Sequence, residues 1–201
     1  MSCRPCRAGG LAAAPVTAGP VATPEPLASS VAAYHITDLG TLGGDTSEAS
    51  AINDAGQIAG SSWTTEGSLH ACLWRDGQPV DLGTLGAQTA WSGATAINEA
   101  GQIVGWSQIA GSGKHAFLWE DGRLIDLGTA GSDSSASGIN DAGQIAGSAD
   151  VAGGNGHAVL WDRGRVIDLG TLGGKTSAAH AISDAGQVVG WSQTAAGDQH
   201  G

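Results

Sequence analysis

The segment HAFLWEDG, residues 115–122, recurs along the chain at a nearly constant interval. Related segments begin at His70, His157 and His200, so that successive copies lie 45, 42 and 43 residues apart. Self-similarity at a fixed period of roughly 20 to 50 residues is the signature of a repeat architecture. His115 is therefore one position of a repeated pattern before it is a candidate for chemistry.

Two further motifs keep the same order and the same period. The first is AINDAGQIAG, with copies starting at Ala51, Ala96, Gly138 and Ala181. The second is DLGTLGG, with copies starting at Asp38, Asp81, Asp126 and Asp168. Three motifs in one register indicate a tandem repeat domain over residues 31–201, whose units begin near these four aspartates.

Each unit contains four segments typical of strands. In the second copy they are residues 92–98, 102–107, 115–119 and 123–128, and each has about the usual length of a strand. NEAG (98–101) joins the first two segments with residues suited to a type I turn followed by a left-handed residue. We expect WEDG (119–122) to join the third and fourth segments in the same way. The link between the second and third segments varies between units, which indicates a surface loop.

Four short antiparallel strands in about 43 residues match the blade of a β-propeller. In HAFLW, His115, Phe117 and Trp119 share one face and Ala116 and Leu118 share the other, which suits a sheet covered on both sides. The second strands contain a recurrent glycine, where we expect an adjacent sheet to approach closely; these are Gly60, Gly105, Gly147 and Gly190. The sequence predicts an all-β, propeller-like array of about four units, with a β-solenoid as the rival fold.

The two ends of the array bear on whether the ring closes. Residues 34–40, YHITDLG, match a fourth strand that precedes the first full unit, and the last unit supplies two strands before His200 and Gly201. Four blades is about the lower limit for propellers. We therefore expect an incomplete ring, which is an open arc, a fragment of a longer parent, or half of a ring closed by a homo-oligomer.

Composition and charge exclude several classes of partner. The chain carries a net charge of −11, and its basic residues form no cluster in the repeats, so nucleic acid is not an expected partner. No apolar run approaches the roughly 20 residues of a membrane-spanning helix. Cys3 and Cys6 lack the second pair of a zinc site, and Cys72, in the slot of Phe117 and Val159, is predicted to be a core residue.

Residues 1–30 form a tail rich in Pro, Ala and Gly. A basic start, MSCRPCR, is followed by a mildly apolar stretch and then by small residues, which is the outline of a signal peptide. The tail is thus predicted to be signal-like or disordered, and the protein to be exported to the periplasm or the extracellular space.

Repetition also governs which residues are candidates for chemistry. A catalytic group is needed once, beside partners of other kinds, so the four repeated histidines are expected to bond to a neighbouring backbone or acidic group. The four unit-start aspartates are expected to bond backbone amides of the next turn, and no unit has the acidic ladder of a calcium loop. The sequence predicts no catalytic residue, no cofactor-binding residue and no metal ligand. An aromatic platform for a sugar or a peptide is the remaining candidate, formed by the second-strand tryptophans Trp63, Trp106 and Trp191, while Trp91 stands alone before the first strand.

The combination of HAFLW with a preceding AINDAGQIVG-type segment and a following DLGTLGG resembles the HAF repeat, named for His-Ala-Phe. The resemblance covers residues 34–201. It implies an exported bacterial repeat protein with a propeller-like fold and no established enzymatic activity, and it supplies no catalytic residues.

The leading functional prediction is a non-enzymatic module that binds or scaffolds a protein or a glycan through its variable rim loops. A glycan-active propeller enzyme is the alternative from another class. It would require unrepeated residues clustered at the axis, and His180 and Glu48 are the candidates outside the repeated positions. A truncated fragment of a larger repeat protein is a third interpretation.

Overall fold

A computed structural model describes residues 34–111, 113–129 and 131–201, and the regular structure of these residues consists of fifteen β-strands. The predicted tail, with Cys3 and Cys6, lies outside the described residues. No helix occurs in the described part, and hence none there is long and apolar enough to cross a membrane. Residues Thr37–Gly201 form one compact unit.

The strands are grouped into four antiparallel sheets, which we number in chain order. Sheet 1 consists of β1 (Gly43–Ile52), β2 (Ile58–Thr64), β3 (Leu69–Arg75) and β4 (Gln78–Gly83). Sheet 2 consists of β5 (Ser92–Ile97), β6 (Ile103–Gln108), β7 (Lys114–Glu120) and β8 (Arg123–Asp126). Sheet 3 consists of β9 (Ser134–Ile139), β10 (Ile145–Asp150), β11 (Gly156–Asp162) and β12 (Arg165–Gly170). Sheet 4 consists of β13 (Gly173–Ile182), β14 (Val188–Thr194) and β15 (Gln199–His200).

The all-β array of four repeated sheets is confirmed, and the predicted strands of the second copy match β5–β8 to within two residues. The ends differ from the prediction. Residues 34–40 form no strand, and sheet 4 has a short third strand, β15, that was not expected. A fourth strand requires a hydrogen-bonded third strand, and none of the described residues provides one for 34–40.

Consecutive sheets pack face to face. The first strand of each sheet contacts the first three strands of the sheet before it, so that β5 contacts β1, β2 and β3, and β13 contacts β9, β10 and β11. Within the described part, sheets 1 and 4 have no pair of strands in extensive contact. The buried apolar residues accordingly form clusters between neighbouring sheets, and the largest side chains that are fully buried include Phe117, Leu73 and Ile103.

The two kinds of hairpin turn differ from one another, contrary to the prediction. In the turn 98–101, the Gly101 amide donates to the Asn98 carbonyl and Gly101 has a φ of 79°, as expected. In the turn after β7, Glu120 pairs with Arg123 and both Asp121 and Gly122 have positive φ, 51° and 76°. This is a two-residue turn with both central residues left-handed. Turns of this type are favoured in hairpins because their twist matches that of the paired strands.

The recurrent glycine of the second strand has a different cause from the one predicted. A Cβ at Gly105 would overlap the Gly93 carbonyl oxygen, and Gly93 lies on β5 of the same sheet. The pairing of β5 with β6 shifts register between Ala94 and Ala96, so the backbone of β5 bulges toward the glycine. The close approach is thus made by the neighbouring strand and not by an adjacent sheet.

Three hydrogen bonds recur at each junction between consecutive sheets, where they join equivalent atoms. An asparagine side chain donates to the carbonyl of the equivalent residue in the next unit: Asn53 to Asn98, Asn98 to Asn140, and Asn140 to Ser183, at 3.0–3.1 Å. The next amide donates to an acid: Asp54 to Glu99, Glu99 to Asp141, and Asp141 to Asp184, at 3.0–3.1 Å. A third-strand alanine amide donates to a serine hydroxyl: Ala71 to Ser92, Ala116 to Ser134, and Ala158 to Ser177, at 2.8–2.9 Å.

Candidate functional site

The repeated histidines form bridges within their own sheets. Nδ1 of His115 lies 2.9–3.0 Å from the two carboxylate oxygens of Asp126, and His70 and His157 pair in the same way with Asp81 and Asp168. Each aspartate also accepts a hydrogen bond from a following glycine amide, as Asp126 does from Gly128 at 2.7 Å. The bridges therefore tie the third strand to the end of the fourth, as expected for a structural role.

The electrostatics of the bridge are clearest at Asp168. Partial burial raises the pKa of this carboxyl. The Gly170 amide and His157 together lower the pKa by more, so that it lies below its ordinary value. A His–Asp pair of this kind serves catalysis when the other imidazole nitrogen activates a nucleophile. In the equivalent dyad of His70 and Asp81, His70 Nε2 is buried and has no hydrogen-bond partner among the described residues. The His70–Asp81 dyad is therefore not continued toward a serine or a cysteine.

The two residues considered for an enzyme site lie on different sheets. Glu48 is on β1 of sheet 1, and His180 is on β13 of sheet 4. Both are exposed, and β1 is not in extensive contact with β13. The structure does not bring them together. In the described residues, no three His, Cys, Asp or Glu side chains are grouped as metal ligands would be.

The turn acids are occupied by the repeat junctions. Glu99 accepts from the Asp54 amide, and Asp141 accepts from the Glu99 amide. Sequence reasoning assigned these acids to bonds within their own turns, whereas they also join one unit to the next. An acid at this position thus caps the turn of the preceding unit, and this accounts for its recurrence without a bound ion.

The strand ends define two rims of the molecule. The repeated rim carries the turns such as 98–101, which occurs in all four units, and 120–123, which occurs in the first three. The variable rim carries the loops that join β2 to β3, β6 to β7 and β10 to β11, which differ between units. The repeat bonds supply what the fold requires in each unit, so a residue that departs from the repeat is the better candidate for function.

Trp63 and Trp91 are such departures, and they meet on the variable rim. Their rings lie edge to face, with centroids 5.7 Å apart and planes at 70°, an arrangement that aromatic pairs prefer. Gln108 and Asp150 take the slot of Trp63 in the next two units, by the strand pairing. Trp91 is 43% exposed, so this aromatic pair faces solvent.

Trp63 lines two neighbouring cavities with volumes of about 440 and 350 Å3. Asp45 and Thr65 line the larger cavity, and Glu48 lines the smaller. Hydrogen bonds from the Thr65 side chain and the backbone lower the pKa of the neighbouring Glu66, which keeps this carboxylate ionised. The site thus combines an aromatic face with carboxylates, and no Lys or Arg is among the residues that line these cavities.

Trp106 and Trp191 have different surroundings from Trp63, so the three second-strand tryptophans do not form one platform. Lys114 Nζ lies 6.0 Å from the centroid of the Trp106 ring, at the outer range of a cation–π contact. Trp191 lines an apolar cavity on sheet 4. The predicted platform left out Trp91, which is the residue that pairs with Trp63, although the signal was present in the two slots that break the repeat.

No family model matches the chain, and no curated protein is similar to it at a significant level.

Proposed function

We propose that the protein is an exported, non-enzymatic binding module with a propeller-like array of blades, and that Trp63 and Trp91 hold a basic segment of a partner protein. The single observation that carries the proposal is this aromatic pair, which breaks the repeat at a solvent-facing site bordered by carboxylates. The propeller-like arrangement is supported by the face-to-face packing of consecutive sheets and by the succession of contacts among their first strands.

The chemistry of the site favours a cation. A tryptophan face attracts a guanidinium or an ammonium group by roughly 0.5 to 2 kcal/mol. Asp45 and Glu48 add negative charge at the walls of the two cavities, and the net charge of −11 disfavours an acidic ligand at long range. The chain itself places Lys114 near Trp106, which is a contact of the same kind.

The test is a titration of the full chain with a Lys/Arg-rich peptide, an acidic peptide of equal length and a neutral oligosaccharide, followed by tryptophan fluorescence and calorimetry. We expect only the basic peptide to bind, with an affinity that falls as salt rises. Trp91→Ala should weaken binding by roughly 2- to 30-fold, the equivalent of one cation–π contact. Asp45→Asn combined with Glu48→Gln should also weaken it.

Asp121→Asn is the matched control, because it removes one negative charge from the repeated rim at a left-handed position that asparagine tolerates. This variant should bind like the wild type. Oligosaccharide binding that is lost in Trp91→Ala would replace the basic segment with a glycan. Equal binding of the peptide to all variants would contradict the site.

A further inference from the structure

In the part of the chain that the structure describes, each of the two end sheets has one uncovered face, and the internal sheets show what covers the equivalent face. Val189 on β14 is 62% exposed, whereas the equivalent residues Ala59, Val104 and Ala146 are 0% exposed because the following sheet covers them. We call the face of sheet 4 with Val189 the leading face. Val189 lines an open cavity of about 260 Å3 together with Leu169 on β12 of sheet 3 and Leu172 between sheets 3 and 4.

Sheet 1 has the opposite face bare, which we call the trailing face. Ile52 on β1 is 65% exposed, whereas Ile139, its equivalent on β9, is 9% exposed under the preceding sheet. Ser47 is also exposed, while its equivalents Ser92, Ser134 and Ser177 are buried. The leading face of sheet 4 thus corresponds to one side of a repeat junction, and the trailing face of sheet 1 corresponds to the other side.

The polar groups on the two faces are complementary as well. At the internal junctions, a turn amide donates to the next acid and a third-strand amide donates to the next serine. The leading face presents the donors, which are the amides of Asp184 and Gly201. The trailing face presents the acceptors, which are the Asp54 carboxylate and the Ser47 hydroxyl.

The segment before β1 is already held as in an internal junction. The Ser47 hydroxyl donates to the Gly40 carbonyl at 2.9 Å, as the Ser92 hydroxyl does to Gly83 at 2.6 Å. Asp38 accepts from the Gly40 amide, as Asp81 does from Gly83, but no histidine of the described residues pairs with Asp38. His200 occupies the histidine position of the fourth unit, without an aspartate partner in the described part.

We propose that the leading face of one chain docks onto the trailing face of a second copy, head to tail, through the same bonds that join consecutive sheets within the chain. The backbone amides of Asp184 and Gly201 in one copy donate to the Asp54 carboxylate and the Ser47 hydroxyl of the other. His200 of the first copy pairs with Asp38 of the second. The occupant is a second copy because both complementary halves lie on this chain and are not in extensive contact with each other in the part that the structure describes. Two copies carry eight sheets, twice the four of one chain, and about eight blades is within the range of propellers.

The test uses two variants of the full chain that each block one face. Val189→Lys blocks the leading face and leaves the trailing face intact, and Ile52→Lys does the reverse. Both positions are exposed in the single chain, so folding should be retained, which circular dichroism checks. Light scattering on a sizing column then gives the mass at several concentrations.

The wild type should associate into a dimer or a larger species whose mass is a multiple of 19.8 kDa. Each variant alone should be a monomer, with association weakened about tenfold or more by the loss of one buried aliphatic contact. An equimolar mixture of the two should recover a one-to-one dimer, because the intact trailing face of one variant meets the intact leading face of the other. Ala152→Lys, which adds the same charge to an exposed loop, should associate like the wild type.

A second variant should strengthen the contact. Ser183 stands where the other units have an asparagine that donates to the next carbonyl, and its hydroxyl accepts from the Gln187 amide instead. Ser183→Asn supplies the missing donor for the Asn53 carbonyl of the second copy. One added hydrogen bond should tighten association by roughly 2- to 12-fold.

Three results would each overturn the proposal. The first is a wild type that stays monomeric at every concentration. The second is a single variant that associates as the wild type does, which would indicate a contact between like faces or elsewhere. The third is a mixture of folded variants that remains monomeric.

Discussion

The repeated rim and the variable rim are built on the same strands, yet they use their side chains differently. On the repeated rim, the Asn98 side chain and the Glu99 backbone amide donate hydrogen bonds to the next unit. On the variable rim, Trp63 and Trp91 contact one another and leave aromatic surface to solvent. The turns of the repeated rim thus carry two of the three bonds of each junction, and the third bond joins strands. The loops of the variable rim carry none of these three bonds, and they differ between units.

The largest expected effect comes from the same insertion made on each rim. Gly-Ser inserted after Ala142 interrupts the turn in which the Gly143 amide donates to Asn140 and Asn140 donates to Ser183. We expect a loss of about 3 kcal/mol or more in the free energy of unfolding. Gly-Ser after Ala152, in an exposed loop of the variable rim, should cost under about 0.6 kcal/mol.

Urea denaturation of both variants provides the measurement. The comparison between the rims fails if the two insertions cost the same. Retained affinity for the basic peptide after the Ala142 insertion, under conditions where the chain is still folded, would further separate stability from binding.

The next effect in size concerns the asparagine of the repeated rim. Asn98 is buried, donates to Gln102 and to the Asn140 carbonyl, and accepts from the Gln102 amide. Asn98→Ala should therefore lower the free energy of unfolding by about 2 to 4 kcal/mol, since it leaves buried polar groups unpaired. Asn98→Ser should cost less, because Ser183 accepts the equivalent turn amide in the fourth unit. Equal losses for both would show that the acceptor for the Gln102 amide is unimportant and that the side-chain donor to the next unit accounts for the loss.

Cys72 is buried on β3, between the two rims, so its substitution tests the core without changing a residue of either rim. Burial raises the pKa of this thiol to about 12, while the thiol of the unfolded chain ionises near 8.5 to 9. Its contribution to stability is complete below the unfolded pKa and is lost as the pH rises toward the folded pKa. Cys72→Val, which matches Val159 in the third unit, should remove this loss, a difference of about 1.5 to 2 kcal/mol by pH 10. Parallel stability curves from pH 8 to pH 11 for the two proteins would contradict the assignment.

The smallest effect is expected at a His–Asp bridge near the variable rim. The carboxylate of Asp168 is 46% exposed, so Asp168→Asn should cost at most about 1 kcal/mol at pH 7. The folded pKa of Asp168 is below its ordinary value, so its contribution is present above the unfolded pKa near 4 and is lost as the pH falls through the lower folded value. Thermal unfolding at pH 7 and at pH 3 should show the difference between variant and wild type shrinking in acid.

The strands and their order were predictable because three motifs recur in one register, and each unit repeats the alternation of buried and exposed positions. The burial of Cys72 followed from its slot for the same reason. The glycine of the second strand was assigned to the wrong neighbour, because a bulge in the paired strand depends on a register shift that no local motif records. The reach of Glu99 and Asp141 into the next unit was missed, because turn chemistry within a unit already explained these acids.

The candidate site was only half predictable. The tryptophans were visible as candidates, but which of them meet depends on how far one sheet is displaced across the next. Trp63 and Trp91 are 28 positions apart in sequence and touch across a junction. The mismatch of these slots with Gln108 and Asp133 in the next unit was the available clue, since a residue required by the fold would have been repeated.

The uniform junction has a consequence for the history of the gene. Every boundary between units is sealed by the same three bonds, so a unit gained by unequal recombination meets neighbours that already fit it on both sides. A unit lost in the same way leaves two halves that still match. The array can therefore lengthen, shorten or exchange its loops by copying whole units without creating a new kind of junction.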